Sequence, residues 1–427
     1  MNISYEYLLP QKGIRCKQMH EKSFVMKDNA IWETYPHGVI LPVKQVTGDS
    51  LQFGRGGVND KNGNYVALSG LPGRCEKTYS YDKKEYKEGK AVYCGYFFKQ
   101  WGHFLLEDVA RLWYCLEEEA TDVDYWVFTT RSGEHDEITG NYKEFLELLG
   151  IWEKVILINT PTEFHEVIVP ELGYKCQKEY TQQYLRIFDK VSERIYDIGK
   201  LQTFTKVYFT RSGLQKNNYN EFGHQMLDHF FEKNGFKILR PEQLSLKEMI
   251  WYIRHAEICA CPSGTPPHNM LFATNKQSLV ICEKCPVVNE FQVDIDRMRD
   301  LEVVYIDSNI SIFPVDVGAG PFIMCYNDIF ESFADDYHYQ RIEKIQKKPR
   351  DLSHILNAYL HCYGKTNYSY PAEWIVKGYY EEIKEAYNLY IELYGDILPQ
   401  GRLGRLKNSV INKVRSTVST VRNRNHA

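Results

Sequence analysis

The chain has 427 residues, of which 43% are hydrophobic and 25% are charged, and its formal net charge is −4. A chain of this length is too long for one typical hydrophobic core, so we predict two domains. The slightly negative net charge is not typical of a protein that binds nucleic acid. No apolar run approaches the roughly 20 residues that cross a bilayer, and the N-terminus lacks the pattern of a secretory signal, so we expect a cytoplasmic protein.

From about residue 90, short apolar runs alternate with amphipathic helical patterns, which is typical of parallel α/β architecture. The first series of predicted strands covers 91–97, 124–130, 154–160 and 166–170. Helices are predicted near 102–119, 141–150 and 178–198. The first ninety residues are irregular and rich in Gly, and we expect them to decorate this first domain, so that it covers residues 1–200.

A second series of the same kind follows. Its predicted strands cover 206–211, 236–240, 257–261, 278–282 and 302–307. Its predicted helices lie near 219–234, 245–255, 267–274 and 289–300. We therefore predict two Rossmann-like domains, the second covering 201–325, followed by a helical region at 326–396. Ligands of such sheets bind at the carboxyl ends of the strands, so the cleft between the domains is the expected site.

The last segment, 397–427, differs in charge from the rest of the chain. Residues 401–427 hold seven Arg or Lys and no Asp or Glu. On a helix, the Leu and Val residues of this segment fall near one side, which suits an anionic membrane surface. A frayed, solubilising tail is the alternative, because β-branched residues weaken a helix.

Cysteine usage favours reduced thiols in the core. The chain has eleven Cys, and several stand in apolar runs that read as strands, among them Cys94, Cys259, Cys261 and Cys282. The spacing of Cys282 and Cys285 invites a zinc site, but neighbouring strand residues face opposite ways, so core thiols are favoured. No acidic cluster in a convincing loop indicates a catalytic metal.

The segment "YFFKQWGHFLLEDVARLW" reads as a strand that runs into a two-faced helix. Its Leu, Val and Trp residues share one side, and the other side carries His103, Glu107 and Arg111 at helical spacing. A carboxylate held by His and Arg directly after a strand is a candidate general base for a hydroxyl, with Asp108, turned about 100° away, in reserve. The alternative is an ordinary exposed ion pair between Glu107 and Arg111.

Two later segments also begin at predicted strand ends. In "YFTRSGLQKNNYNEFG", Arg211, Ser212 and Lys216 precede a helix expected to start near Asn220 and Glu221, which suits a phosphate or diphosphate. A plain surface loop in which Asn and Glu cap the helix would look the same.

In "CPSGTPPHNMLF", a tight loop with free backbone N–H groups leads into a helix, without a Walker signature. Such a loop can hold a phosphate or nucleotide without a metal. The same residues could also form a rigid strand–helix connection with no ligand.

Together and in this order, these three segments resemble glycosyltransferase family 61. The matching strings are "GHFLLEDVAR", "YFTRSGLQKNNYNE" and "SGTPPHNMLF", and the resemblance extends over roughly residues 90–310. It implies a GT-B-type fold, with two Rossmann-like domains that face each other across a cleft. It also implies inverting, metal-independent transfer of a hexose or pentose from a nucleotide-sugar to a saccharide hydroxyl.

The resemblance assigns roles to the candidate residues. The second domain would hold the nucleotide diphosphate, and the first would present the acceptor to His103 and Glu107. The residues implied in donor or substrate binding are Arg111, Arg211, Ser212, Lys216, Asn220, Glu221, Ser263, Gly264, Thr265, His268 and Asn269. Many members carry His-Gly at the start of the donor loop, whereas this chain has Pro262, Ser263 and Gly264, with His268 further on.

Within the family, the chain more closely resembles bacterial relatives of capsular or surface polysaccharide synthesis, which build on a lipid-linked acceptor at the cytoplasmic face of the membrane. The basic tail at 401–427 would then have a place on that membrane. Two other functions are compatible with the same residues. One is a non-catalytic scaffold that binds nucleotide-sugars or polysaccharide, and the other is a sugar-phosphate transferase.

Overall fold

The computed structural model describes residues 2–195, 201–214, 221–309 and 320–343. Within these ranges the strands are, in chain order, β1 (Asn2–Tyr7), β2 (Val25–Lys27), β3 (Trp32–Pro36), β4 (Val39–Lys44), β5 (Arg55–Asn59), β6 (Glu85–Tyr96), β7 (Tyr125–Thr129), β8 (Val155–Ile158), β9 (Thr162–Pro170), β10 (Tyr174–Lys175), β11 (Glu179–Thr181), β12 (Lys206–Phe209), β13 (Glu221–Phe222), β14 (Lys237–Leu239), β15 (Ile258–Pro262), β16 (Ser278–Glu283), β17 (Glu302–Asp307) and β18 (Phe322–Ile323). The α-helices are α1 (Pro10–Glu21), α2 (Trp101–His103), α3 (Gly140–Leu149), α4 (Gln182–Glu193), α5 (His224–Lys233), α6 (Leu246–His255), α7 (Glu290–Met298) and α8 (Asp328–Asp336).

The chain divides into two compact units. One comprises residues 23–199 and 245–251 and is called the seven-stranded unit after its larger sheet. The other comprises the described residues within 2–22, 201–244 and 252–343 and is called the six-stranded unit. The fold is mixed α/β with parallel strands in both units.

The sheet of the six-stranded unit is parallel throughout, in the order β14-β12-β15-β16-β17-β1. Counted from β12, this is the doubly wound order 2-1-3-4-5 with one added edge strand, so its switch point lies between β12 and β15. Aromatic side chains of α5 and α8 pack on the sheet, where the rings of Tyr208 and Phe231 stack at 4.2 Å. The parallel order explains why the strands of this unit are continuous apolar runs.

The first residues of the chain belong to the six-stranded unit. Sequence analysis assigned residues 1–200 to the first domain, but β1 pairs in parallel with β17 at the edge of the six-stranded sheet. The side chain of Lys12 on α1 explains the attachment, because its ammonium contacts Glu283 Oε2 at 3.0 Å and Asp307 Oδ1 at 2.6 Å. Burial alone would lower the pKa of Lys12, but these two carboxylates raise it above its ordinary value.

Replacing Lys12 by Met should loosen this attachment. We expect Lys12→Met to cost about 3–5 kcal/mol of unfolding free energy, because the buried Glu283 and Asp307 would lose their counter-ion. Hydrogen-exchange mass spectrometry should then show faster exchange in residues 2–21. The matched control is Lys17→Met, since the Lys17–Glu21 pair is exposed and 3.8 Å long, and it should change little. Equal exchange in the two variants would contradict the attachment.

The main sheet of the seven-stranded unit is mixed. Strands β9, β6, β7 and β8 are parallel neighbours, and β3, β4 and β5 add to it in antiparallel pairs. Only residues 159–161 separate β8 from β9, so the sheet is not a full Rossmann-like series with a helix in every connection. Its core includes Val58, Ala91, Val127 and Phe164.

The predicted strands and helices of residues 90–307 overlap observed elements, although β6 begins six residues before its predicted start and Glu179–Thr181, inside a predicted helix, form β11. Two differences matter for function: α5 begins at His224 rather than near Asn220, and the helix after β6 is not a regular α-helix. Of the predicted region 326–396, α8 is described, and the remainder from residue 344 and the tail 397–427 lie outside the described residues. None of the described helices combines the length and hydrophobicity that crossing a membrane requires.

Candidate active site

The helical segment after β6 changes its pitch twice. It runs as α2 (Trp101–His103), a π-helical turn at Phe104–Asp108 and a 3₁₀ segment at Val109–Leu116. Short π-helical turns inside helices are frequent at functional sites, and they rotate the residues that follow relative to an ideal helix. The turn contains both candidate carboxylates, Glu107 and Asp108.

Glu107 is held from two sides. Its Oε2 lies 2.7 Å from Nδ1 of His103, and its Oε1 lies 2.7 Å from Nε of Arg74. The Glu107 side chain keeps 10% of its surface exposed and that of His103 keeps 22%. A carboxylate with fixed orientation and remaining access is therefore present directly beyond the carboxyl end of β6.

Asp108 has a different environment. It is buried, and its Oδ2 accepts a hydrogen bond of 2.8 Å from the backbone N–H of Phe98. Burial raises the pKa of this carboxyl well above its ordinary value, and the Phe98 bond only partly opposes that effect. Asp108 thus anchors the strand–helix connection, and Glu107 is the one of the two carboxylates that keeps exposed surface.

The expected grouping of Arg111 with His103 and Glu107 on one polar face is wrong. Arg111 is buried, and its guanidinium donates to the backbone carbonyls of Leu68, Gly70 and Pro170. The ideal 100° spacing fails because a π-helical turn and a 3₁₀ segment stand between the two positions. Arg74, from the Gly-rich segment before β6, is the arginine that contacts Glu107.

A small pocket adjoins Glu107 within the seven-stranded unit. Its lining residues come from the segment before β6, from β6 itself and from the π-helical turn, and include Leu71, Cys75, Tyr93, Tyr96, Glu107 and Asp108. The pocket shows that the Gly-rich segment of residues 50–77 contributes directly to the surroundings of Glu107.

A second charged group lies at the switch point of the six-stranded sheet. Arg211, just after β12, binds Glu221 through two hydrogen bonds of 2.8 and 3.0 Å. Lys284, just after β16, lies 3.3 Å from the same carboxylate, and His224 Nε2 lies 2.9 Å from it. One buried carboxylate therefore faces two permanent cations and an imidazole, and the group carries a positive excess.

The loop after β15 lies beside this charged group. The Ser263 hydroxyl accepts a hydrogen bond of 3.1 Å from the backbone N–H of Lys284. Gly264 has a φ of 121°, and a Cβ there would lie 3.1 Å from Lys284 Nζ. Glycine is required by this φ, and any side chain here would crowd the buried Lys284 ammonium.

The remaining predicted donor residues fall into two groups. His268 and Asn269 are buried in the 3₁₀ segment Pro266–Phe272, where Asn269 Nδ2 donates to the Pro266 carbonyl at 3.0 Å and His268 Nε2 lies 3.3 Å from Asn289. Ser212 is half-buried beside Arg211, whereas Lys216 and Asn220 lie outside the described residues.

Glu221 does not cap the following helix. It lies in the short strand β13, which pairs with β18, and α5 begins three residues later. The intervening Gly223 has a φ of 84°, and a Cβ there would collide with the Met324 carbonyl at 2.0 Å. The backbone turn that Gly223 permits brings His224 back to Glu221.

Residues 101–281 match the family model described as Glycosyltransferase 61. Over this stretch the chain is similar to glycosyltransferase family 61. The match confirms the family predicted from the sequence and supports a transferase. A comparison with curated proteins finds no match. The mixed α/β fold is consistent with a glycosyltransferase, and the GT-B arrangement stays a prediction.

The glycosyltransferase 61 match includes His103, Glu107, Arg211 and the loop at Ser263, but it ends before Lys284 and begins after Arg74. Sequence analysis missed both of these cations and His224. Lys284 directly follows an apolar strand, as Arg211 does, and that position was a usable signal. No sequence signal indicated Arg74, because it approaches Glu107 only when the chain is folded.

No group of three or more His, Cys, Asp or Glu side chains in the described ranges could hold a metal ion. Cys282 and Cys285, which suggested a zinc site, are free and buried, as the core-thiol interpretation predicted.

Glu221 should make the six-stranded unit sensitive to acid. Burial alone would raise the pKa of Glu221, but Lys284, His224 and Arg211 lower it well below its ordinary 4.5. The ionised carboxylate therefore stabilises the folded unit above that ordinary value, and its contribution is lost as the pH falls towards the lower folded-state pKa. When the pH is lowered from about 6 to about 3, the melting temperature of Glu221→Gln should fall by less than that of the wild type. At pH 6 the melting temperature of the variant should be the lower of the two.

The matched control for Glu221→Gln is the exposed Glu302, whose Gln variant should keep the wild-type pH dependence. Differential scanning fluorimetry across this pH range provides the comparison. Identical slopes for wild type and Glu221→Gln would show that Glu221 does not contribute as described.

Proposed function

We propose that this chain is a metal-independent, inverting glycosyltransferase that moves a sugar from a nucleotide-sugar to a saccharide hydroxyl. The observation that carries the proposal is the arrangement of Glu107, oriented by His103 and Arg74 at the carboxyl end of a parallel strand. Polar groups at such strand ends are where α/β proteins bind their ligands. The family match supplies the reaction class.

In this reaction the acceptor oxygen forms a bond to the anomeric carbon of the donor sugar as the bond from that carbon to the phosphate oxygen breaks. The hydroxyl proton passes to the Glu107–His103 pair. A carboxylate can accept at about four lone-pair positions, so Arg74 and His103 leave capacity for the hydroxyl. Positioned proton acceptors of this kind contribute roughly 10²- to 10⁴-fold to a rate.

The leaving nucleoside diphosphate needs positive charge and N–H donors in place before the bond breaks. Arg211 and Lys284 supply the charge at the switch point of the six-stranded sheet, and the loop at Gly264 supplies backbone N–H groups next to them. Glu221 balances one of the cations in the absence of the ligand, which limits the cost of holding like charges together. We assign donor binding to this group and acceptor activation to Glu107.

Replacing the proposed base should abolish transfer but spare donor binding. We expect Glu107→Gln to lower kcat by about 10²- to 10⁴-fold, because the amide keeps the shape of the carboxylate but cannot take a proton. Nucleotide affinity, measured by calorimetry, should stay unchanged. The control is Glu147→Gln, from the exposed Lys143–Glu147 pair. Normal turnover of Glu107→Gln would reject the assignment.

Lys284 should matter for the nucleotide rather than for the acceptor. With the UDP, GDP, CMP and dTDP series as probes, the tightest nucleotide should bind Lys284→Met about tenfold or more weakly, because a charge-assisted bond to phosphate is lost. Lys237→Met is the matched control, since Lys237 also lies over an aromatic ring but is exposed. Unchanged affinity of Lys284→Met would place the diphosphate elsewhere.

The same titrations with a chelator test metal independence, since a metal-dependent donor site would lose affinity. Nucleotide-sugar binding without any transfer or hydrolysis would instead favour the scaffold, and a product that carries phosphate would favour a sugar-phosphate transferase.

The finer proposals rest on the resemblance alone. We infer a bacterial enzyme of capsular or surface polysaccharide biosynthesis, with a saccharide or lipid-linked saccharide acceptor at the cytoplasmic face of the membrane. The tail at 401–427 would hold the enzyme on an anionic membrane surface, and flotation of full-length and 1–400 protein with anionic vesicles would compare the two directly.

A further inference from the structure

Arg74 is tied into the seven-stranded unit by more than its contact with Glu107. Its backbone N–H donates to Leu71 at 3.0 Å, and its carbonyl accepts from Phe53 at 2.9 Å. Its guanidinium carbon lies 5.2 Å from the ring centre of Phe53. The side chain therefore lies between an aromatic ring and the Glu107 carboxylate, in a segment that the family match does not include.

One donor of Arg74 has no acceptor. Nε is used by Glu107, but Nη1 is buried and makes no hydrogen bond among the residues that the structure describes. A buried donor without an acceptor lowers the stability of the fold, and more so when it is charged. Arg presents its five donors in a rigid plane, so an acceptor that binds this guanidinium would be fixed relative to Glu107, which the same group holds.

Aromatic rings continue from Arg74 to His103. Phe53 stacks on Phe98 with ring centres 5.0 Å apart, and the edge contact of Phe98 with His103 is 4.9 Å. Tyr96 lies 5.2 Å from Phe53, and both Tyr96 and Phe98 are half-buried. Half-exposed rings beside a fixed guanidinium and a carboxylate offer an apolar face and directed polar groups together, which matches the amphipathic surface of a sugar ring.

We propose that Arg74, Tyr96 and Phe98 form a saccharide-binding subsite, in which the partly exposed guanidinium of Arg74 donates to a sugar hydroxyl while its Nε holds Glu107. This inference rests on the proposed function, because it takes the bound sugar to be the acceptor of the transfer. The subsite identifies the acceptor as a pyranose or furanose ring that packs against Tyr96 and Phe98. Arg74 is thus both a binding residue and the positioning residue of Glu107.

The subsite can be tested without a known donor. The probes are the methyl α- and β-glycosides of glucose, galactose, mannose, xylose and N-acetylglucosamine, titrated into full-length protein by saturation-transfer NMR. At least one glycoside should bind the wild type, and Arg74→Gln and Phe98→Ala should each weaken it about tenfold or more, because a charged hydrogen bond or a ring contact is lost. Arg74→Lys should also weaken it, since Lys lacks the planar fork.

The matched control is Arg55→Lys in the same segment, because Arg55 pairs with Asp49 at 2.7 Å and does not contact Glu107. It should bind like the wild type, and circular dichroism melting should show that every variant is folded. Failure of all the glycosides to bind, or equal binding by the wild type, Arg74→Gln and Phe98→Ala, would overturn the subsite. Glycoside binding that depends on Arg74 in a protein without transferase activity would keep the subsite and reject the proposed function.

Discussion

The parallel arrangement of strands is the constraint on which both candidate sites depend. Parallel strands end at the same edge of a sheet, so residues that are far apart in the sequence meet there. Arg211, Ser263 and Lys284 each follow a different strand of the six-stranded sheet, and Glu107 follows β6 in the seven-stranded sheet. The same edge also concentrates charge, and that charge needs buried counter-ions. Glu221 is the counter-ion of Arg211 and Lys284, and Lys12 is the counter-ion of Glu283 and Asp307.

The two carboxylates of the π-helical turn show how neighbouring residues acquire opposite properties. Glu107 has an arginine and an imidazole as partners and keeps access to solvent, whereas Asp108 is enclosed and bonded to one backbone N–H. Environment rather than residue type thus separates a group suited to proton transfer from one suited to anchoring. The change of pitch in this segment makes the separation possible, because it lets Arg111 enter the core while Glu107 stays near the surface.

Sequence reasoning succeeded where local patterns decide the structure. Apolar runs bounded by polar loops predicted most of the strands between residues 90 and 307. The three segments that resemble the family were correctly expected to follow strands. It failed where the structure depends on pairing between residues that are far apart in the sequence. β13 forms against β18, about a hundred residues away, and so displaces the start of α5. Arg111 was assigned to the wrong face because an ideal helix was assumed across a π-helical turn. Arg74 was missed because no sequence periodicity indicates a contact between a Gly-rich loop and a helix.

The edge position of β1 has a consequence for how the protein is made. β1 leaves the ribosome before its partner β17, which lies at residues 302–307, so the parallel pair cannot form until nearly three hundred further residues have been made. Most of the seven-stranded unit comes from one continuous stretch, 23–199, and most of its contacts can close during that interval. Contacts of such long sequence separation form slowly, because the chain must lose conformational entropy before these contacts can stabilise it. β1 therefore joins the six-stranded sheet only after the whole of the seven-stranded unit has been synthesised.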